Sequence, residues 1–289
     1  MKVLVCGASG QLGHMLCATA PGHVQLEARN SAQLDVSDLT EVAREVAALR
    51  PAVIINAAGY TAVDRAEQEP EHAHAVNARG PAHLAQAATQ CGARLIHVST
   101  DYVFDGTASR PYRPLDACHP LGVYGASKRA GEAAVLAMAS QGLIVRTSWL
   151  YAAQGNNFVH TMLRLMRERS ELGVVADQIG SPTWAGTLAT ALWAAVQRPQ
   201  LHGIYHWADL GVASWYDFAV AIQEEALAAG LLTRAIPLRP LRSEEYPTPA
   251  RRPAYSVLDT SDARRDFEST GMHWRAALRM MLRELTNDA

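Results

Sequence analysis

The sequence predicts an α/β fold in which a doubly wound parallel sheet carries helices on both faces and is followed by a smaller α/β part. Short, wholly apolar segments alternate with longer segments of helical periodicity over the first 150 residues. A glycine-rich turn joins the first apolar segment to the first helical one. The alternation loosens after residue 150. We therefore expect a main domain over residues 1–150, to which some later segments return, and a second part over residues 151–289 that packs directly on it.

The apolar segments are short enough to be strands that are buried on both faces, as the strands of parallel sheets are. The predicted strands are residues 2–6, 24–28, 53–56, 95–99, 143–147 and 203–207. The predicted helices are residues 11–20, 39–49, 70–90 with a weak point near Gly80, 127–140, 157–169, 184–197, 214–229 and 275–285. Ser37 is the predicted N-cap of the second helix and Ser214 that of the helix at 214–229. Residues 237–253 contain five prolines and are predicted to be irregular.

The composition argues against several classes of protein. The chain has 289 residues, of which 49% are hydrophobic and 19% charged, and its net charge of −2 predicts no attraction to nucleic acid or to anionic membranes. No apolar run approaches the roughly 18–20 residues that span a bilayer. The four cysteines have no C-x-x-C spacing and the histidines have no metal-site spacing, so we expect free thiols, no metal and a cytoplasmic location.

The strongest local motif is the turn that contains Gly7, Gly10 and Gly13. It follows a predicted strand and opens a predicted helix, which is the setting of a dinucleotide-binding fingerprint. The first glycine permits the tight turn, the second lets the backbone approach a pyrophosphate, and the third allows helix and strand to pack closely. The amides at the helix N-terminus are donors for the phosphates. The Rossmann type of sheet is therefore expected.

The end of the second predicted strand bears on the choice of dinucleotide. Arg29 would suit the 2′-phosphate of NADP, because a guanidinium forms charge-assisted hydrogen bonds with phosphate. Glu27 would instead suit the ribose hydroxyls of NAD if the strand ends earlier. A third alternative is that both residues are ordinary solvated charges in a loop. We favour NADP, and place the adenine near Asp35 and Val36.

A candidate proton donor is Tyr124, which lies four residues before Lys128 and therefore shares a helix face with it. A nearby cation stabilises a phenolate, so we expect Lys128 to lower the pKa of Tyr124. Only Lys2 and Lys128 are lysines in this arginine-rich chain, and a lysine offers a compact donor for a ribose hydroxyl. Thr100 follows the fourth strand, at the sheet edge where such folds bind ligands.

The glycine turn, Thr100 and the Tyr124–Lys128 pair resemble the extended short-chain dehydrogenase/reductase family. Longer stretches make the resemblance more specific, and together they are similar to the dTDP-4-dehydrorhamnose reductase family over nearly the whole chain. They are NAAGYTAVD at 56–64, STDYVFDG at 99–106, RTSWLY at 146–151, GNNF at 155–158, DQIGSPT at 177–183 and YPTP at 246–249.

The resemblance implies reduction, by NADPH with NADH often tolerated, of the C4 ketone of dTDP-4-dehydro-β-L-rhamnose in the last step of dTDP-rhamnose synthesis. It implies Tyr124 as proton donor, Lys128 as its partner, Thr100 as carbonyl anchor, and residues 151–289 as mainly a substrate-binding domain. Together with the residues already argued, the candidate cofactor-binding residues are Gly7, Gly10, Gln11, Leu12, Gly13, Arg29, Asp35, Val36, Ala57, Ala58, Gly59, Tyr60, Thr61, Tyr124 and Lys128. The implied substrate-binding residues are Thr100, Asp101, Tyr102, Trp149, Asn157 and Arg252.

Two departures from related proteins refine these expectations. Relatives that dimerise through magnesium carry a glutamate where this chain has Met15, so we expect a monomer or a weak homodimer and no metal. Related dehydratases have an Asp-Glu pair after the threonine, whereas this chain has Asp101-Tyr102, which favours simple ketone reduction. Two alternatives stay open: a sister 4-ketoreductase for another nucleotide sugar or stereochemistry, and a non-catalytic subunit like the regulatory subunit of methionine adenosyltransferase.

Overall fold

The computed structural model describes residues 1–287. Its strands are β1 (Lys2–Cys6), β2 (Gln25–Arg29), β3 (Val53–Asn56), β4 (Arg94–Thr100), β5 (Leu143–Thr147), β6 (Leu150–Tyr151), β7 (Leu172–Val175), β8 (Ile179–Gly180), β9 (Thr183–Trp184), β10 (Gly203–His206), β11 (Ala213–Ser214) and β12 (Leu238–Leu241). Its α-helices are α1 (Gln11–Ala18), α2 (Leu39–Leu49), α3 (Val63–Ala66), α4 (Pro70–His74), α5 (Gly80–Cys91), α6 (Val123–Met138), α7 (Phe158–Glu168), α8 (Ala185–Val196), α9 (Trp215–Ala228), α10 (Ser261–Asp266) and α11 (Trp274–Asn287).

Six parallel strands form the central sheet, in the order β10-β5-β4-β3-β1-β2. The order reverses beside β1, so the predicted doubly wound sheet is confirmed. At this reversal the carboxyl ends of β1 and β3 lie side by side, which is where such sheets leave a crevice for a ligand. The turn at Gly7 and the loop at Ala57 start there.

Both faces of the sheet are buried, because successive residues of each strand point to opposite sides. On β1, Val3 and Val5 belong to one hydrophobic cluster, and Leu4 and Cys6 belong to the other. Helices α1 and α8 cover the first face, and α2, α5 and α6 cover the second. This double burial explains why the strands read as continuous apolar runs without alternation.

The second part of the chain adds three two-stranded sheets, β7 with β12, β6 with β9, and β8 with β11. The hydrophobic cluster on the first face continues into this part through α9 and α11, so the two parts share one core. Strand β10, late in the chain, extends the central sheet beside β5. The division near residue 150 stays a prediction.

Several element ends differ from those predicted. The N-cap of α2 is Asp38, whose carboxylate accepts from the amides of Thr40 and Glu41 at 2.8 and 2.9 Å. Ser37 is not the cap because its hydroxyl donates to Asp35 at 2.7 Å. A carboxylate also suits the positive end of a helix dipole better than a hydroxyl does. The predicted cap at Ser214 is confirmed, with Asp217 completing a capping box.

Two predicted helices have different outlines. The helix expected over residues 70–90 consists of α4, a π-helical turn (Ala75–Arg79) and α5. Its irregular point therefore precedes Gly80. The helix expected from residue 127 begins at Val123, because the carboxylate of Glu67 accepts from the Val123 amide at 2.8 Å. That cap is 56 residues away in sequence, so no local signal marks it. Within the stretch expected to be irregular, β12 pairs with β7.

Three further findings concern the described part of the chain as a whole. In residues 1–287, every helix is too short or too polar to cross a lipid bilayer. The four cysteines are unpaired. Over the same range, the structure contains no group of three or more His, Cys, Asp or Glu side chains arranged to hold a metal ion.

Candidate active site

The glycine turn and the loop after β3 touch backbone to backbone. Gly7 has a φ of 82°, and a Cβ atom on it would lie 2.6 Å from the Ala58 nitrogen. A Cβ atom on Gly13 would lie 2.1 Å from the Gly7 oxygen. Any side chain at either position would therefore separate strand, turn and helix. Among the described residues no side chain caps α1 at Gly10, so its first-turn amides fit the pyrophosphate of a dinucleotide.

The loop at residues 152–157 closes over this turn. The Asn157 amide nitrogen donates to the Gln11 side-chain oxygen at 2.9 Å and to the Ala152 carbonyl at 2.8 Å. Its oxygen accepts from the His160 amide at 3.1 Å, which caps α7. Asn157 thus joins the second part of the chain to the cofactor turn. Its predicted contact with the substrate stays a prediction.

The predicted adenosine end is held by polar contacts. Arg29 is not a free loop charge: its Nε donates to Glu45 at 2.7 Å, and one terminal nitrogen donates to Glu27 at 3.4 Å. Asp35 is exposed and accepts from the Ser37 amide at 2.9 Å. Val36 is buried at 5% exposure, and its carbonyl faces a ring nitrogen of His83 at 3.1 Å.

The predicted catalytic residues come together where β4 ends and α6 begins. The Thr100 hydroxyl donates to Asp101 at 3.1 Å and accepts from the Tyr102 amide at 3.2 Å. The rings of Tyr102 and Tyr124 meet edge to face, with centroids 5.5 Å apart. A Cβ atom on Gly125 would lie 2.1 Å from the Tyr102 oxygen, so only glycine lets α6 pack this closely beside the Thr100 turn.

Burial controls the ionisation of the proton donor. It raises the pKa of Tyr124 to about 12, hydrogen bonding to Thr100 opposes that rise, and the Asp101 charge adds to it. Lys128, which was expected to lower the pKa of Tyr124, is not among the groups that shift it. The Lys128 ammonium itself donates to the Val98 carbonyl at 2.7 Å. In this structure Tyr124 is therefore a neutral phenol, which suits a proton donor.

Lys128 and Asp101 are both buried, and burial shifts each toward its neutral form. It lowers the pKa of Lys128 to about 8, against a rise caused by Glu132. It raises the pKa of Asp101 to about 6, against hydrogen bonds from Ser256 and Thr100. Asp101 Oδ2 is buried and has no partner within ordinary hydrogen-bond geometry among the described groups, although Ser256 is close enough to lower the pKa of Asp101.

Two residues that support the site were missed by the sequence analysis. Asn77, in the π-helical turn, accepts from the Tyr60 amide at 2.8 Å and donates to Ser127 on α6 at 3.0 Å. It thereby ties the predicted nicotinamide loop to the catalytic helix. Glu67 caps that helix. Neither contact could be found from spacing, because the partners lie far along the chain.

A cavity of about 940 Å³ opens beside this cluster. Its apolar wall comes from α7, β7 and Trp215, and Tyr102 and Arg252 connect it with the catalytic end. Trp149, expected at the substrate, stacks on Trp215 with ring centroids 3.5 Å apart and planes within 3°. The size and the mixed lining suit a nucleotide-sized ligand with a flat base.

Arg252 is held at the cavity by a residue from the first part of the chain. Its two terminal nitrogens donate to the two carboxylate oxygens of Asp64 at 3.1 and 2.8 Å. Asp64 also accepts from the Ala250 amide at 3.1 Å. The pair is bidentate and leaves Arg252 only 21% exposed at its side chain, so the guanidinium plane has a fixed orientation.

The arrangement provides a dinucleotide turn, a neutral phenol beside a hydroxyl, a buried lysine and a nucleotide-sized cavity. These features are those expected of a nucleotide-sugar reductase, and comparison with known proteins identifies the family. Residues 1–287 match the family model described as RmlD substrate binding domain. A dTDP-4-dehydrorhamnose reductase of Escherichia coli strain K12 is 43% identical, over 99% of this chain and 98% of that protein. The chain belongs to the dTDP-4-dehydrorhamnose reductase family.

Solved structures of this reductase family match the chain over nearly its full length. One, a dTDP-4-dehydrorhamnose reductase from Clostridium acetobutylicum, has a TM-score of 0.94 at 37% identity, covering 99% of this chain and 100% of that one. Another, from Bacillus anthracis and solved in complex with NADP, has a TM-score of 0.92 at 37% identity, covering 98% and 99%. The family resemblance seen in the sequence is confirmed.

Proposed function

We propose that the chain reduces the C4 ketone of dTDP-4-dehydro-β-L-rhamnose with NADPH and forms dTDP-β-L-rhamnose. The observation that carries the proposal is the cluster at the start of α6, where a neutral, half-buried Tyr124 adjoins the Thr100 hydroxyl. Tyr102, whose ring packs against Tyr124, lines the cavity. Membership of the reductase family supports the choice of substrate and cofactor.

In the proposed reaction, the residues of this chain polarise and protonate the carbonyl. Bound NADPH supplies the hydride. Thr100 and Tyr124 donate hydrogen bonds to the C4 oxygen, which stabilise the negative charge that develops on it. Tyr124 then gives its proton to the alkoxide. Lys128, 5% exposed and bonded to the Val98 carbonyl, holds the nicotinamide ribose.

Substrate recognition is assigned to the second part of the chain. The flat thymine base would stack on the Trp149–Trp215 pair. The diphosphate would bind Arg252, which Asp64 orients. Residues 151–289 would thus be mainly a substrate-binding domain, with Asp101, Tyr102 and Asn157 completing the pocket. We also propose a cytoplasmic monomer or weak homodimer, without a metal, as the working form.

The deciding experiment follows NADPH absorbance after mixing protein with the dTDP-4-keto sugar. We expect turnover by the wild type, a loss of two to four orders of magnitude in Tyr124→Phe, and little change in Tyr216→Phe, a control on α9. Near-normal activity of Tyr124→Phe would exclude the mechanism. A product with another sugar or C4 configuration would identify a sister reductase, and NADPH binding without turnover would favour a regulatory subunit.

A further inference from the structure

A buried polar chain leads from the cofactor loop to Lys128, and the proposed mechanism leaves it unexplained. The Ala58 amide donates to Asn56 Oδ1 at 3.1 Å. Asn56 Nδ2 lies 3.1 Å from His97 Nδ1, and His97 Nε2 lies 3.5 Å from Lys128 Nζ. Asn56 and His97 are fully buried, so each of these contacts replaces one that water would otherwise make.

The donors and acceptors along this chain determine the tautomer of His97. Because the Ala58 N–H can only donate, the Asn56 oxygen must face it and the Asn56 NH₂ group must face His97. Nδ1 of His97 is therefore an acceptor. Burial, and then the Lys128 charge, lower the pKa of His97 well below its usual value, so the ring is neutral and its single proton lies on Nε2.

This tautomer directs an N–H group at the lysine. An ammonium has only donors, so His97 Nε2–H and a charged Lys128 face each other as two donors. A neutral amine has a lone pair that can accept from Nε2–H. The histidine thus favours the neutral amine, and the Val98 carbonyl, which accepts from Lys128 at 2.7 Å, suits either form.

We propose that His97 is a positioning residue, which Asn56 holds as the Nε2–H tautomer so that it favours the neutral amine of Lys128 and eases the loss of a proton from this lysine. The proposal rests on the proposed reductase function. In the reduction, Tyr124 gives its proton to the C4 oxygen and becomes a phenolate. A proton from solvent restores the Tyr124 phenol after the product leaves.

The groups that face Lys128 from the neighbouring elements include one that opposes the effect of His97. Glu132, one turn further on α6, raises the pKa of Lys128, but it is bonded by both carboxylate oxygens to Arg146 on β5 at 2.7 Å. Tyr124, one turn earlier, is neutral. From β4 the facing titratable group is His97. The loop after β3 brings the uncharged Gly59, on which a Cβ atom would lie 3.9 Å from Nζ.

The lysine content of the chain allows a direct test. Lys2 and Lys128 are the only lysines, so a sample labelled with ¹³Cε-lysine gives two NMR signals, and Lys2→Arg assigns them. We expect the wild-type Lys128 to titrate near pH 8. His97→Met removes both ring nitrogens at similar volume and should raise the Lys128 pKa by about one pH unit, a tenfold change in proton affinity.

The matched variant is His97→Gln, whose amide NH₂ group can replace the Nε2–H donor. It should leave the Lys128 titration at its wild-type position. The pH at which kcat falls on the alkaline side should shift upward in His97→Met and stay at the wild-type position in His97→Gln. A histidine that merely supports the fold would lower kcat at every pH without moving either titration. An unshifted Lys128 in His97→Met, or equal shifts in both variants, would overturn the proposal.

A second measurement keeps the proposal testable if these variants do not fold. In wild-type protein labelled with ¹⁵N-histidine, the His97 ring should show a protonated Nε2 and an unprotonated Nδ1 from pH 6 to 8. An Nδ1–H tautomer or a charged ring would contradict the hydrogen-bond argument. Neither NMR measurement needs turnover, so a protein that fails to reduce the nucleotide sugar would refute the proposed function and leave the tautomer separately decided.

Discussion

Cofactor choice depends on a crowded arginine, and this gives a quantitative prediction. Arg29 contacts the carboxylates of Glu45 and Glu27, so the three side chains carry a net charge of −1. A charge-assisted hydrogen bond to the 2′-phosphate is worth roughly 1.5–3 kcal/mol, about tenfold to a hundredfold in affinity. Because two carboxylates compete for the same guanidinium, we expect a preference for NADPH over NADH at the lower end, about tenfold.

Neutralising the closer carboxylate should strengthen that preference. In Glu45→Gln, the Arg29 Nε loses its 2.7 Å ionic partner and the net charge of the cluster becomes zero. Removing one negative charge at roughly 7 Å from a doubly charged phosphate is worth about 1.2 kcal/mol even at the dielectric constant of bulk water, so roughly a further tenfold at least. Arg29→Ala leaves both carboxylates unopposed and should abolish the preference. NADH affinity should change little in either variant.

The assay is the dissociation constant of each cofactor, measured by titration calorimetry at low and high salt. Salt should weaken NADPH binding more than NADH binding, because the additional contact is ionic and near solvent. Arg164→Ala, which removes an exposed arginine on α7, is the control and should leave the ratio unchanged. Equal affinities for the two cofactors in both the wild type and Glu45→Gln would refute the assignment of Arg29 to the 2′-phosphate.

Three further predictions concern the lysine, the cavity and stability. Lys128→Arg should lose most turnover in the NADPH assay, because the larger guanidinium does not fit the buried ammonium site. Arg252→Lys loses the bidentate contact with Asp64 and should raise the KM for the nucleotide sugar about tenfold with a small effect on kcat, measured by steady-state kinetics. Burial raises the pKa of Asp209 to about 7, so its favourable contribution is full below pH 4 and is lost as pH rises through 7. Asp209→Asn keeps an acceptor for the Trp184 amide. Between pH 5 and 8, the free energy of unfolding of the variant, measured by urea denaturation, should rise by about 3 kcal/mol relative to that of the wild type.

Local residue patterns were sufficient for the central sheet and for part of the candidate site. The apolar runs at β1, β3 and β5 have the predicted bounds because both faces of each strand are buried, which leaves a continuous apolar signal. The glycine turn was equally readable, since Gly7 and Gly13 stand where a Cβ atom would collide with backbone. The spacing of Tyr124 and Lys128 placed them one helical turn apart on α6.

The remaining features depend on partners that meet only when the chain is folded. Glu67 caps the catalytic helix, Asp64 orients Arg252 and Glu45 contacts Arg29, over separations of 56, 188 and 16 residues. The sequence by itself determined which residues can form strands, helices and the cofactor turn, because period and glycine placement are local properties. Only the tertiary structure decided which charges are neutralised and which proton sites are buried, because ion pairing and desolvation depend on distances in space that sequence spacing does not encode.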